Sequence, residues 1–117
     1  MPLAGNITER LADLNDVVAM IHQQVDLKAP LRIKRSGKLV DRIYGLALAD
    51  EPVARLAPER DDAENEAAVV FKSGRTLMME DEVELMIGPT RIARLYLPLA
   101  DGAGNITDIL VGIARVS

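Results

Sequence analysis

The sequence predicts an α+β domain in which a five-stranded antiparallel sheet carries short helices on one face. Two strand-like segments precede the helical segments and three follow them, without the strand-helix alternation that is typical of a parallel sheet. Between residues 76 and 99, apolar and polar residues alternate with the period of two that strands show. The 117 residues are close to the common size of one domain, so we expect one compact unit.

The chain is predicted to begin with a helical segment, residues 1–15, which precedes a domain over residues 16–117. Asn6 or Thr8 can cap a short helix over 9–14, because their side-chain oxygens accept hydrogen bonds from the free N–H groups of a first helical turn. We interpret this helix as peripheral to the domain.

Glycine and proline residues divide the next part of the chain into a hairpin and three helices. β-Branched residues in 17–25 and a brief alternation in 31–33 predict the hairpin. Each helix is bounded by residues that favour a helix start or stop. We expect the helices between Gly37 and Gly45, from Pro52 to Leu56, and between Pro58 and Gly74, the last with a buried stripe of Ala63, Ala67, Val70 and Phe71.

Three antiparallel strands are predicted to complete the sheet. A turn at Gly88–Thr90 separates the first two, and a turn at Asp101–Asn105 leads to the third. The third is apolar at nearly every residue from 109 to 116, which is typical of a central strand covered on both faces. Asp81 is the one acidic residue on the apolar side of the first strand. The apolar positions are Leu77, Met79, Val83, Leu85 and Ile87 in the first strand, and Ala93, Leu95, Leu97 and Leu99 in the second.

Composition and charge exclude several classes of function. No apolar run approaches the roughly 18 residues that a membrane-spanning helix needs, and the N-terminus lacks a signal-peptide pattern. We therefore expect a cytoplasmic protein without a membrane partner. The net charge of -4 speaks against nucleic acid, and the one basic cluster, Arg32 to Arg35, fits an exposed strand. The absence of cysteine excludes disulfides, zinc-thiolate sites and cysteinyl adducts of a flavin.

The C-terminal residues 74–117 resemble the second half of a PAS domain, where a helix ends at Gly-Arg and three long strands follow. Upstream, residues 33–58 resemble the short bacterial PAS proteins, and the likeness extends over roughly Asp16 to Ser117. The residues that carry it are Tyr44, Gly45, Pro98, Leu99, Asp101, Gly102 and Gly112.

This resemblance implies a sensory or interaction module of bacterial signal transduction, which senses a small molecule or binds a partner through regulated dimer contacts. The expected partners are a second copy of the chain and a signalling protein such as a kinase or regulator. If odd positions of the third strand face the helices, the ligand pocket is lined by Phe71, Met79, Val83, Leu95 and Leu97. The interface is expected at Leu11, Leu14, Glu80, Glu82, Glu84 and Arg94.

Cofactors and metals find little support in the sequence. His22, the one histidine, falls in the first predicted strand, whereas haem-binding PAS domains keep their axial ligand on the long helix, so haem is not expected. Glu80, Glu82 and Glu84 would spread over about 13 Å at about 3.3 Å per residue, too far for one ion. We expect arginines of the neighbouring strand, Arg91 and Arg94, to pair with them instead. The identity of any ligand stays open.

The sequence leaves two alternatives to the sensory module. A constitutive dimerisation or scaffold domain that binds no small ligand would have the same fold. A ligand-dependent rise in melting temperature would separate the two. An enzyme is not expected, because Ser36, Ser73 and Ser117 fall at turns or at the end of the chain without a histidine and carboxylate around them.

Overall fold

The computed structural model describes residues 18–22, 31–57 and 62–116. The expected helical segment over 1–15 lies outside these residues. The elements are β1 (Val18–His22), β2 (Ile33–Ser36), α1 (Lys38–Tyr44), a 3-10 helix (Val53–Leu56), α2 (Asp62–Ser73), β3 (Leu77–Leu85), β4 (Gly88–Ala100) and β5 (Ile106–Arg115).

The five strands form one antiparallel sheet in the order β2-β1-β5-β4-β3. The helices pack on one of its faces, which we call the inner face; the opposite face is the outer face. The α+β prediction is confirmed. The last strand, β5, lies in the middle of the sheet between β1 and β4, as its almost uniformly apolar sequence predicted.

The core lies between the inner face and the helices. It combines side chains of all five strands with one stripe from each helix, all nearly or fully removed from water. Burial of this aliphatic surface is the main force that holds the layers together. The core includes Ile21, Ile33, Val40, Tyr44, Leu48, Val53, Leu56, Ala63, Ala67, Val70, Ile92, Tyr96, Ile109, Val111 and Ile113.

The turn between β3 and β4 differs from the predicted one. It consists of Met86 and Ile87, and Leu85 pairs with Gly88, so that β4 already begins where the sequence predicted the turn. Gly88 has a φ of 110°, a conformation that residues with a side chain rarely adopt. Gly88 therefore closes the strand pair instead of occupying the centre of a turn, and the predicted turn at Gly88–Thr90 is wrong by two residues.

Helix α1 ends at Gly45, as its sequence predicted. Gly45 has a φ of 75°, and its N–H donates to the carbonyl oxygen of Asp41 at 2.8 Å. The turn residue Met86 lies over this helix end: a Cβ added to Gly45 would meet its Sδ at 2.9 Å. Both the left-handed backbone and the close approach of Met86 require glycine at this position.

Substitution of Gly45 by alanine is therefore expected to lower the free energy of unfolding by about 1–2 kcal/mol. Urea denaturation measures the change. The control is Gly102→Ala, where φ is not positive and an added Cβ would meet no atom within 4 Å; its effect should stay within about 0.5 kcal/mol. Equal effects of the two substitutions would contradict this description of the helix end.

Candidate functional site

The inner face of β4 carries a charged side chain in the middle of the core. Arg94 lies between the buried residues Ile92 and Tyr96 and has an exposed fraction of 0%. Arginine is almost never removed from water without paired partners, since transfer of an unpaired charge into the interior is very costly. The partners of Arg94 therefore define the most unusual site in the described part of the chain.

Two carboxylates bind the guanidinium of Arg94. Its Nη1 and Nη2 donate to Oδ1 and Oδ2 of Asp81, on β3, at 2.8 and 2.9 Å. Its Nε and Nη2 donate to Oε1 and Oε2 of Glu66, on α2, at 3.2 Å each. Paired N–H···O bonds of this kind fix the plane of the guanidinium as well as its position. The arginine thus connects α2 to both strands of the β3–β4 hairpin.

Tyr96 completes the arrangement. Its hydroxyl donates to Oε1 of Glu66 at 2.6 Å and accepts from Nε of Arg94 at 3.2 Å. We call Glu66, Asp81, Arg94 and Tyr96 the Arg94 cluster. In the described residues, every buried side-chain nitrogen and oxygen has a hydrogen-bond partner. The cluster is therefore a fully bonded network, which is the condition under which buried polar groups are tolerated.

The electrostatics of the cluster follow from burial and from these bonds. Burial alone would lower the pKa of Arg94, but its hydrogen bonds to Asp81 and Glu66 outweigh this effect and raise it, so the guanidinium stays charged. Burial raises the pKa of Tyr96 well above its ordinary value, and the hydrogen bond to Glu66 raises it further. Two carboxylates and one guanidinium give the cluster a formal charge of -1.

Three of the five predicted pocket residues lie on the inner side. Val83 is buried, and Phe71 and Met79 are half-buried against the same core. Leu95 and Leu97 lie on the outer face, because they alternate with the inward-facing Arg94 and Tyr96. Their expected position in a pocket is therefore wrong.

The predicted interface residues divide in a similar way. Glu80, Glu82 and Glu84 are exposed on the outer face, and Arg91 donates to Glu80 at 2.8 Å, which confirms one of the expected pairs. Arg94 is buried, so its assignment to an exposed interface is wrong. Leu11 and Leu14 lie outside the described residues.

The outer face carries apolar side chains at the centre of the sheet. Met78 is paired with Leu95, and Leu97 with Leu110; Leu110 in turn is paired with Met20. Leu95 and Leu97 are half-buried, and Met78 is 63% exposed. We call Met20, Met78, Leu95 and Leu97 the outer patch. An antiparallel sheet with one solvated face usually shows polar residues there, so a patch of this kind indicates a contact surface.

Other kinds of site find no counterpart in the described part of the chain. No group of three or more histidine, aspartate or glutamate side chains there is arranged to hold a metal ion. None of the helices over residues 38–73 is long and apolar enough to span a membrane. The backbone of His22 lies in β1, as predicted.

Comparison with known proteins gives matches among solved structures alone; no family model and no curated protein matches the chain. A light-oxygen-voltage domain studied with a flavin analogue has a TM-score of 0.72 and 17% identity, over 96% of this chain and 85% of that one. The PAS domain of the fruit-fly ELK potassium channel has a TM-score of 0.72 and 9% identity, over 96% and 95%. A PAS domain from Colwellia psychrerythraea has a TM-score of 0.65 and 15% identity, over 94% and 97%. At these identities the likeness concerns the fold.

Proposed function

We propose that this chain, which has the PAS fold, is a signal-transduction module that works by association through the outer patch, and that its first partner is a second copy of itself. The observation that carries the proposal is the apolar outer patch on a sheet whose described helices all pack on the other face. A signalling protein such as a kinase or regulator is the natural second partner.

The patch is suited to a twofold contact. Met78 is the cross-strand neighbour of Leu95, and Met20 and Leu97 lie on either side of Leu110 of β5. Gly112, opposite Leu95, has no side chain that would keep a partner away from Leu95. Removal of apolar surface from water is favourable by about 25 cal/mol per Å² of apolar area. A dimer contact centred on Leu95 and Leu97 would therefore be stabilised mainly by the burial of apolar surface.

The Arg94 cluster supports a role in signalling because it connects the two sides of the sheet. Arg94 and Leu95 are successive residues of β4 that point to opposite faces. Glu66 holds the same arginine to α2. A displacement of α2 would change the partners of Arg94 and shift the strand that carries the outer patch. Sensing on the helical side would in this way reach the contact surface.

The alternative is a constitutive dimerisation or scaffold domain that binds no small ligand. Both functions use the same patch, and a ligand-dependent change in association separates them. We further propose that the module has no enzymatic activity of its own and acts in the cytoplasm on protein partners, with neither nucleic acid nor membrane as a partner.

Substitution of both patch leucines by aspartate (L95D/L97D) is expected to weaken self-association by more than about tenfold, because two carboxylates would have to be buried in the contact. Sedimentation velocity over a concentration series measures the association constant. The matched control is L39D/V69D, which changes two exposed apolar residues on the helices. Equal weakening by both variants, or a wild-type chain that stays monomeric, would contradict the proposal. Circular dichroism melting checks that both variants are folded.

A further inference from the structure

The two edges of the sheet are protected in different ways. The edge strand β2 has four residues and pairs with β1 through an irregular register. Its outer side is covered by the segment before the 3-10 helix: Ile33 donates to the carbonyl of Glu51 at 2.8 Å and accepts from the N–H of Asp50 at 2.7 Å. Short length, irregularity and a covering segment are the usual means of closing a sheet edge.

The opposite edge, β3, has none of these protections. It has nine residues, and its register with β4 is continuous from Leu77 opposite Tyr96 to Leu85 opposite Gly88, without a bulge. In the described part of the chain no strand lies beyond it. Its outward backbone N–H and C=O groups are therefore a template for a further strand.

Side-chain charge determines which strand can be added to β3. Glu80, Glu82 and Glu84 alternate along the outer face and are exposed. Arg91 binds Glu80, whereas Glu82 and Glu84 have no cation within ion-pair distance among the described residues. A second β3 would place carboxylates opposite carboxylates, which is destabilising. Pairing of two copies through this edge is thus opposed, and a basic strand is favoured.

We propose that the β3 edge binds an extended basic segment of a partner protein by strand addition, with lysine or arginine at alternate positions facing Glu80, Glu82 and Glu84. Backbone hydrogen bonds supply affinity, and the alternating side chains supply specificity. The intervening residues of the partner face the inner side, where β3 presents Met79, Val83 and Leu85 beside an Asp81 that is already bound to Arg94, and are therefore apolar. The outer patch reaches β3 only at Met78 and includes none of the three glutamates, so the chain can hold a second copy and a basic partner together.

The test uses the full chain and a capped seven-residue peptide, TKVKVKT, in which lysine and valine alternate. Chemical-shift titration of the labelled protein should give saturable binding, and alternate amides of β3 should become protected from hydrogen exchange. The permuted peptide TKKKVVT, of the same composition, should bind at least about fivefold more weakly. The E82K/E84K variant should lose at least about tenfold affinity for TKVKVKT and bind TEVEVET instead. The variant leaves the Arg91–Glu80 pair intact.

The control substitution E51K lies beside the other edge and should leave peptide affinity within about twofold. The proposal is overturned by any one of four results: no saturable binding at about 1 mM peptide, equal binding of both lysine peptides, unchanged affinity in E82K/E84K, or amide protection outside β3. If the sedimentation experiment shows no self-association through the outer patch, the expected peptide results do not change. The two proposals can therefore be contradicted independently.

Discussion

Replacement of Arg94 by methionine (R94M) is expected to lower the free energy of unfolding by about 3–5 kcal/mol, since removal of one member of a buried ion pair leaves the other charge uncompensated. Most of the loss arises at Glu66, whose side chain is 9% exposed and cannot be rehydrated without moving α2. Asp81, at 34%, can recover contact with water and contributes less.

Urea denaturation of the two variants R94M and R91M decides this prediction. Arg91 lies on the same strand, and its pair with Glu80 is exposed to water, so R91M should lower the free energy of unfolding far less than R94M does. The double variant R94M/E66Q should recover at least about 1 kcal/mol of the loss, because the neutral amide can still accept from Tyr96. If R94M lowered the free energy of unfolding no more than R91M does, the Arg94 cluster would not stabilise the fold.

The free energy of unfolding is expected to fall steeply above pH 10, because both tyrosines of the chain are buried. Burial raises the pKa of Tyr44, although the charge of Arg94 partly offsets this, and burial together with the bond to Glu66 raises the pKa of Tyr96. In the unfolded chain both hydroxyls ionise near pH 10, whereas in the folded chain they stay protonated. Their stabilising contribution is complete below about pH 10 and is lost as pH rises.

The slope is about 1.4 kcal/mol per pH unit for each tyrosine, or about 3 kcal/mol per unit for the two together. Urea denaturation between about pH 8 and pH 12 measures it. The Y96F variant should show about half of the pH slope that the two tyrosines give to the wild-type free energy of unfolding. Lysines titrate in the same range in both proteins, so the difference between wild type and Y96F reports Tyr96. Ultraviolet absorbance that shows ionisation of tyrosine near pH 10 in the folded protein would contradict the prediction.

Much of the fold follows from local patterns. The alternation in residues 76–87, the apolar run in β5 and the glycines after α1 and α2 predicted these elements and their antiparallel order. Asp81 was a visible signal for the Arg94 cluster, because a carboxylate on the apolar side of a strand needs a buried partner. Glu66 was a second signal, since it lies three residues from Ala63 and four from Val70, within the buried stripe of α2.

The direction of the β4 side chains could not be predicted in the same way. Both sets of alternating residues in β4 contain apolar side chains, so the pattern does not show which set faces the helices. The turn decides it: Met86 and Ile87 form a two-residue turn that pairs Val83 with Thr90 and brings even-numbered β4 residues to the inner face. A turn at Gly88–Thr90 would have turned Leu95 and Leu97 inward, because a one-residue shift exchanges the faces of a strand.

Native mass spectrometry of wild type and L95D/L97D, both purified without added ligand, measures directly whether the chain associates through the outer patch. We expect a dimer for wild type and a monomer for the variant. Denaturing mass analysis of the same samples identifies any small molecule that is retained and so distinguishes the sensor from the scaffold. A wild-type chain that is monomeric at all concentrations, or a dimer that survives in L95D/L97D, would show that the outer patch is not a self-association surface.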